Sequence, residues 1–427
     1  MRIRKATLIR QRDISSWTSC QTITQNLQDL YEELPTVDIQ NTIEISESDP
    51  FSTFEKGYEL AQLESDLLVF IDHFPCPASI IKAFSKHHNK EVKPDIIIHV
   101  FGDFTLQAAE WLSSEKELKD FNIKFICASD AQSRLLAKLL NNSKNIESLF
   151  FPLRGDAHNF SNKLREETRK KLNLAPDELV FIYTGRLSMQ KNVIELVSMM
   201  NELRRTFQLK FKLLIAGPFD DLGIPYIGQY SQEGAYCTRW MKQVSNIDFV
   251  SYLGSLDSSE LHNYYCASDC FISLSTHNDE DFGMSPCEAA ATGLPLILTD
   301  WGGYFSFPKY FKNTYLIDTT FSNPDATRPL PLKKSLFKKV IHFCENYDPK
   351  SREASNSCSL EILRTNMKDV LVELEQSRFT GFSELMIKVS ARFSATKSSP
   401  FSGVRGNYSD LYYDLYSSYV ESEMKDV

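Results

Sequence analysis

The chain has 427 residues, enough for two or three domains that each bury their own core. Its composition, 42% hydrophobic and 24% charged, is that of ordinary globular protein, and a net charge of -9 argues against broad nucleic-acid binding. Nine cysteines, an odd number without framework spacing, favour reduced thiols, and no apolar run reaches the length of a membrane span. The basic start Met1 to Lys5 is not followed by a signal-peptide core, so a cytoplasmic protein is expected.

The first half reads as short strands alternating with helices. Strands are expected at Ala6 to Ile9, Thr42 to Ile45, Leu67 to Ile71, Ile96 to Val100 and Phe125 to Ala128. Helices are expected near Thr22 to Glu33, Phe54 to Glu64, Phe104 to Leu118 and Ala131 to Leu140. Such alternation predicts a parallel sheet covered on both faces, forming one domain to about residue 160. A charged connecting helix then spans Asn162 to Asp177. The alternation restarts with strands at Val180 to Thr184, Phe211 to Ala216, Phe249 to Leu253, Phe271 to Leu274 and Leu296 to Thr299, whose continuous apolar character suits doubly buried strands. Asn192 with Glu195 reads as a capping-box variant ahead of a helix whose buried stripe is Val193, Leu196, Val197, Met200 and Leu203. Towards the C-terminus, helices are expected at Ser335 to Glu345, Ile362 to Glu375, Ser383 to Arg392 and Leu411 to Val420. This tail carries an aromatic stripe of Tyr408, Tyr412, Tyr413, Tyr416 and Tyr419.

The chemistry gathers after the strands of the second half. Glu280 and Glu288 lie eight residues apart, the first in a loop that ends a strand and the second about one turn into a helix beginning near Gly283. Between them, the backbone N–H groups of Phe282, Gly283 and Met284 form a helix N-terminus, which favours an anionic ligand. Arg186 and Lys191 follow another strand and Gly217-Pro218 a third, so all fall at the carboxyl ends of parallel strands, where open doubly wound sheets bind ligands. Two basic clusters, Arg2 to Arg12 and Lys333 to Lys339, read either as solvated surface or as a patch for peripheral contact with an anionic membrane face.

The stretch from Glu280 to Glu288, with Phe282-Gly283 after the first Glu and Ala289 to Pro295 after the second, resembles the donor-site motif of the retaining family 4 glycosyltransferases, which have the GT-B fold. Gly185-Arg186-Leu187-Ser188-Met189-Gln190-Lys191-Asn192 resembles the family's segment for the donor diphosphate, and Leu213 to Gly217, Ala267 to Phe271 and Thr299 to Gly303 are also family-like. The resemblance implies an α/β fold of two Rossmann-like doubly wound parallel-sheet domains facing a cleft. Residues 1–160 would form the acceptor-side domain, completed by C-terminal helices within 383–427, and residues 161–382 the nucleotide-sugar domain.

The resemblance also implies roles. Arg186 and Lys191 would hold the diphosphate, a planar fork and a point charge suited to phosphate oxygens. Glu288 would accept from the ribose hydroxyls and Glu280 would contact the transferred sugar or sit near the reacting centre, with Gly185, Gly217, Phe282, Gly283 and Met284 in the donor site. No metal or cofactor is expected, since Arg186, Lys191 and a helix N-terminus handle the charge. On the acceptor side the family pattern His, any residue, His is broken by Phe101: either His99 serves, or Asp103 substitutes, or His99 is a satisfied core residue. His73 is a further candidate. The family's Gly-Gly loop after the first strand is replaced by Arg10 to Ser16, where Ser15 and Ser16 could present N–H groups. The implied activity moves a sugar from a nucleoside-diphosphate sugar to a glycan, lipid-linked or small-molecule acceptor. The alternative is a catalytically inactive GT-B protein that binds a nucleotide sugar or glycan as regulator or scaffold.

Overall fold

A computed structural model describes residues 3–12, 18–46, 51–154, 158–278, 280–321, 329–349, 352, 354–396, 399–403 and 409–420. The chain divides into two units, Met1–Leu153 with Cys358–Lys397, and Arg154–Ser357 with Ser398–Val427.

In the first unit six parallel strands, β1 (Arg4–Gln11), β2 (Val37–Ile45), β3 (Leu67–Phe70), β4 (Asp95–Val100), β5 (Ile123–Cys127) and β6 (Ile146–Ser148), lie in the order β2-β1-β3-β4-β5-β6. Every residue of β3 and β5 is buried, as the apolar runs predict for strands covered on both faces. The helix expected over 104–118 is broken into a 3-10 turn and two short helices, Ala108–Ser113 and Glu115–Leu118. The break has a local cause at its start, where Asp103 accepts from the Thr105 amide at 3.0 Å and hydroxyl at 2.6 Å and so caps the 3-10 turn.

The second unit holds β7 (Leu179–Thr184), β8 (Phe211–Ala216), β9 (Val250–Gly254), β10 (Cys270–Ser273), β11 (Leu296–Thr299) and β12 (Thr314–Ile317), all parallel, in the order β12-β11-β10-β7-β8-β9. This order reverses direction between β7 and β10, the switch point at which two adjacent loops splay apart and leave a crevice. The helix Val193–Phe207 buries Val193, Leu196, Val197, Met200 and Leu203, as its spacing predicts, but its start differs from the expected capping box. Asn192 is in the left-handed region at φ +54° and makes no cap; its side-chain amide instead donates to Leu274 O at 2.7 Å and Thr276 Oγ1 at 3.0 Å. Two tertiary acceptors outcompete one local amide, and the result ties the loop after β7 to the loop after β10.

The unit boundaries also differ from the expected ones. Helices Leu360–Glu373 and Glu384–Ala395 belong to the first unit, whereas residues from Ser398 onward belong to the second. The tyrosine stripe explains the second assignment. Tyr412, Tyr416 and Tyr419 are at most 2% exposed, packed with Trp301 and Phe321, and Asn278 Nδ2 donates to Tyr416 Oη at 3.1 Å. The apolar face of this tail, expected to dock on the first domain, is covered within the second unit. Tyr408 lies outside the described residues.

Among the described residues no helix is long and apolar enough to cross a membrane, and all nine cysteines are free thiols. Several cations of the two basic clusters are paired: Arg4 with Asp95 and Glu375, Arg10 and Arg12 with Glu44, Lys333 with Glu202.

Candidate donor site of the second unit

The loops that follow β7 and β8 meet backbone to backbone, and the Asn192 side chain ties the β7 loop to the loop after β10. Gly217 sits at φ +143°, and a Cβ there would strike the Gly185 carbonyl, so only glycine lets the β8 loop lie against the β7 loop. Gly185 N–H donates to Ala216 O at 3.0 Å and Leu187 N–H to Pro218 O at 2.8 Å, which fixes the contact. On this platform stand the two expected cations. Lys191 Nζ lies 2.6 Å from Glu280 Oε2, an ion pair that spans the switch point from the β7 loop to the β10 loop. The Arg186 guanidinium pairs with the Asp220 carboxylate and lies 3.4 Å from Gln190 Oε1. Asp220 itself is steadied by the Leu222 amide at 2.8 Å.

Glu280 is 6% exposed, so its charge depends on Lys191 for compensation, and Tyr304 is within its influence. The helix after it spans Met284–Ala291, with Gly283 as the preceding residue at φ +104°. A Cβ on Gly283 would strike the Tyr304 ring, so the turn into this helix requires glycine. Its first intrahelical bond is Cys287 N–H to Gly283 O, and the amides ahead of that bond are of the kind helix geometry leaves to a ligand or solvent. Glu288 falls on the second turn of this helix. It is partly buried, its Oε2 accepts from Tyr265 Oη at 3.1 Å, and burial pushes its carboxyl up to about 7 although that hydrogen bond favours ionisation. Phe282 is buried and packs 6.0 Å from Phe307, so its side chain anchors the loop.

Thus Gly185, Arg186, Lys191, Gly217, Glu280, Phe282, Gly283, Met284 and Glu288 are brought to one end of one sheet. Sequence reasoning missed Tyr265 and Tyr304, whose partners are distant in the chain. His277 and Asn278 act as pins: His277 O accepts from Trp301 Nε1 at 2.6 Å, and Asn278 holds Tyr416.

The acceptor-side candidates lie in the first unit. His99 is 2% exposed near the end of β4, with Nε2 2.8 Å from Tyr31 Oη, and burial lowers its pKa to about 3, so it is neutral. Asp103 is engaged in the Thr105 cap. His73 follows β3, one strand of that sheet's own switch point between β1 and β3; it is 3% exposed, with Nδ1 3.5 Å from Asp72. Ser15 and Ser16 lie outside the described residues. Among the described residues no group of three His, Cys, Asp or Glu side chains is placed to hold a metal ion.

Two doubly wound parallel sheets of this kind are those of the GT-B fold. Residues 164–328 match the family model described as Glycosyl transferases group 1. The chain is 26% identical over 152 residues to the lipopolysaccharide 1,2-N-acetylglucosaminetransferase of Salmonella typhimurium, covering 35% of this chain and 38% of that protein. It is 31% identical over 136 residues to the alpha-monoglucosyldiacylglycerol synthase of Streptococcus pneumoniae, covering 31% and 26% respectively. The matches thus span only about a quarter to two fifths of those two relatives. Among solved structures, HepE of Anabaena in complex with UDP superposes with a TM-score of 0.64 at 13% identity, over 86% of this chain and 99% of that one. The sucrose-phosphate synthase of Thermosynechococcus elongatus superposes at 0.58 with 15% identity, over 87% and 99%.

Proposed function

We propose that this chain is a retaining glycosyltransferase that moves a sugar from a nucleoside-diphosphate sugar to a glycan, lipid-linked or small-molecule acceptor. The observation that carries the reading is the Lys191–Glu280 pair across the switch point, with Arg186 and Glu288 on the same strand ends. In the transfer, the bond from the anomeric carbon to the diphosphate oxygen breaks with its electron pair on that oxygen, and the acceptor oxygen bonds to the carbon as its hydroxyl proton passes to the departing diphosphate. Arg186 and Lys191 neutralise the departing diphosphate, the Met284–Ala291 N-terminus adds N–H donors, and Glu288 accepts from the vicinal ribose hydroxyls. Glu280 contacts the transferred sugar. The UDP complex of HepE makes uridine diphosphate sugars the first donors to test.

Binding settles the donor half. Thermal stabilisation against a panel of nucleoside diphosphates and their sugars should single out one base, with about 2.7 kcal/mol of stabilisation at a hundred times the dissociation constant. Arg186→Ala and Glu288→Ala should lose it; a folded protein that no nucleotide shifts would sink the reading. Activity should persist in excess EDTA, because protein cations neutralise the diphosphate; loss in chelator with recovery in magnesium would overturn that.

Glu288 sets a pH dependence. Its free-state carboxyl sits at about 7, and hydroxyl donors favour the ionised form, so binding lowers that value. Affinity for a nucleotide sugar should therefore be level above pH 7 and fall up to about tenfold per unit below it. UDP-glucose, whose diphosphate does not titrate in this range, is the suitable probe, and Glu288→Gln should flatten the profile. The burial and neutrality of His99 favour the second reading, a GT-B binder without transfer; single-turnover assays showing tight donor binding but neither transfer nor hydrolysis would select it.

A further inference from the structure

Glu288 is held by a residue to which neither the family match nor the donor motif gives a role. Tyr265, on the helix Ser258–Ala267, is 1% exposed, and its hydroxyl lies 2.8 Å from Thr184 Oγ1, 3.1 Å from Glu288 Oε2 and 3.3 Å from Ser285 O. A phenol has one hydrogen to give. The carboxylate is the stronger acceptor and the closer of the two acceptor-only groups, so the hydrogen goes to Glu288 and Thr184 donates to the phenol oxygen. The chain of bonds runs from the last residue of β7, beside Gly185 and Arg186, through Tyr265 to the helix Met284–Ala291. It links three elements that must be in register for one ligand to touch both Arg186 and Glu288.

The helix that carries Tyr265 is fastened just beyond it. Arg165 donates to Cys266 O at 3.3 Å, Ala267 O at 3.2 Å and Ser268 O at 2.9 Å. Arg352 donates to Cys266 O at 2.9 Å and to Tyr265 O and Ser268 O at 3.0 Å. Three cations, with Arg169 on Ala267 O at 3.0 Å, thus satisfy the orphan carbonyls at this helix end and complement its dipole.

We propose that Tyr265 is a positioning residue for the donor's ribose: its hydroxyl holds Glu288 Oε2 so that the carboxylate presents Oε1 to the vicinal ribose hydroxyls. The proposal rests on the reading of Glu288 as the ribose acceptor. Tyr265 is the titratable group whose interaction with Glu288 is resolved; Lys191 and Glu280, from the loops after β7 and β10, pair with each other, and Arg186 pairs with Asp220. Removing the phenol hydrogen takes away the bond that favours the Glu288 carboxylate, so the carboxyl should titrate still higher.

The test is calorimetric titration of wild type and Tyr265→Phe with UDP-glucose and the other sugars of the panel between pH 5.5 and 8.5. Tyr265→Phe should bind about tenfold more weakly at neutral pH, with the midpoint of its affinity profile displaced upward from that of wild type and kcat at saturating donor within about twofold. Thr184→Val, which removes only the donor to the phenol, should move the midpoint the same way by less. A loosened structure would weaken binding without displacing the midpoint, so an unchanged midpoint in both variants overturns the proposal. If wild type binds no nucleotide sugar, the donor-site reading itself has failed, an outcome visible before any variant is made.

Discussion

Lys191→Ala should lower kcat by roughly a hundredfold to a thousandfold while leaving the donor KM within several-fold of wild type, the loss expected when one preorganised cation at a developing oxyanion is removed. The ammonium reaches the switch point because the chain turns sharply at Asn192, whose left-handed backbone is pinned to Leu274 and Thr276 on the facing loop. In the ligand-free chain the charge is spent on Glu280 at 2.6 Å. A diphosphate arriving beside that pair gains little in the ground state, because Lys191 must share its hydrogens between two anions. As the anomeric bond breaks, charge accumulates on the leaving oxygen and the balance tips towards it. The interaction strengthens in the transition state, which is the condition for raising kcat rather than merely lowering KM. Steady-state kinetics at saturating donor, with the thermal transition measured alongside, check this. Glu280 is buried and loses its partner in the variant, so some loss of stability is expected. A fall in kcat under tenfold in a folded protein would remove Lys191 from the chemistry. Lys191→Arg should recover only part of the rate, since a guanidinium cannot occupy the compact position of the ammonium.

The residues of this site were legible singly, and their partnerships were not. The apolar runs of β8 and β11 marked strands at 211–216 and 296–299 to the residue, and position after a strand placed Arg186, Lys191, Gly217 and Glu280 at one sheet end. That Lys191 would pair with Glu280, 89 positions away, follows only once the strand order puts β7 beside β10. Asp220 and Tyr265 carry no local signature: each matters through partners distant in the chain. Where local chemistry and tertiary partners compete, the latter decide, as at Asn192, a plausible cap that instead stitches two loops. The C-terminal tyrosines show the complementary limit. Their spacing announced a buried face, but Trp301 and Phe321, which cover it, could not be read from periodicity. His99 belongs to the same class: a polar residue in an apolar strand looks alike whether it faces a ligand or, as here, Tyr31.

Asp269→Ala should cost about 3–5 kcal/mol of stability, the range measured when one member of a buried ion pair is removed. Asp269 is 2% exposed just ahead of β10 and accepts from Arg165 at 2.6 Å, Arg169 at 3.3 Å and the Val180 amide at 2.9 Å. Its own amide donates to Val180 O at 2.7 Å, so one residue closes the ladder between β7 and β10 with both backbone and side chain. Arg169 is the group that makes its loss expensive. Burial lowers the pKa of this guanidinium, and Asp269 is the chief opposing charge. An arginine cannot shed its proton, so without Asp269 the charge remains, buried against the carbonyls of Ala267, Ala175 and Glu178, with the Glu178 carboxylate as the remaining opposing charge. Asp269→Asn separates charge from shape: it keeps the volume and can still accept from Val180, so it should lose most of the electrostatic part while sparing the packing. Paired with Arg169→Met, which removes the stranded cation, Asp269→Asn should recover a substantial share of the loss, a coupling that a double-mutant cycle on the urea midpoint would read directly. If Asp269→Ala unfolds within about 1 kcal/mol of wild type, the three arginines are surface cations that solvent can accommodate, and the fastening of the Tyr265 helix would have to lie in backbone packing instead.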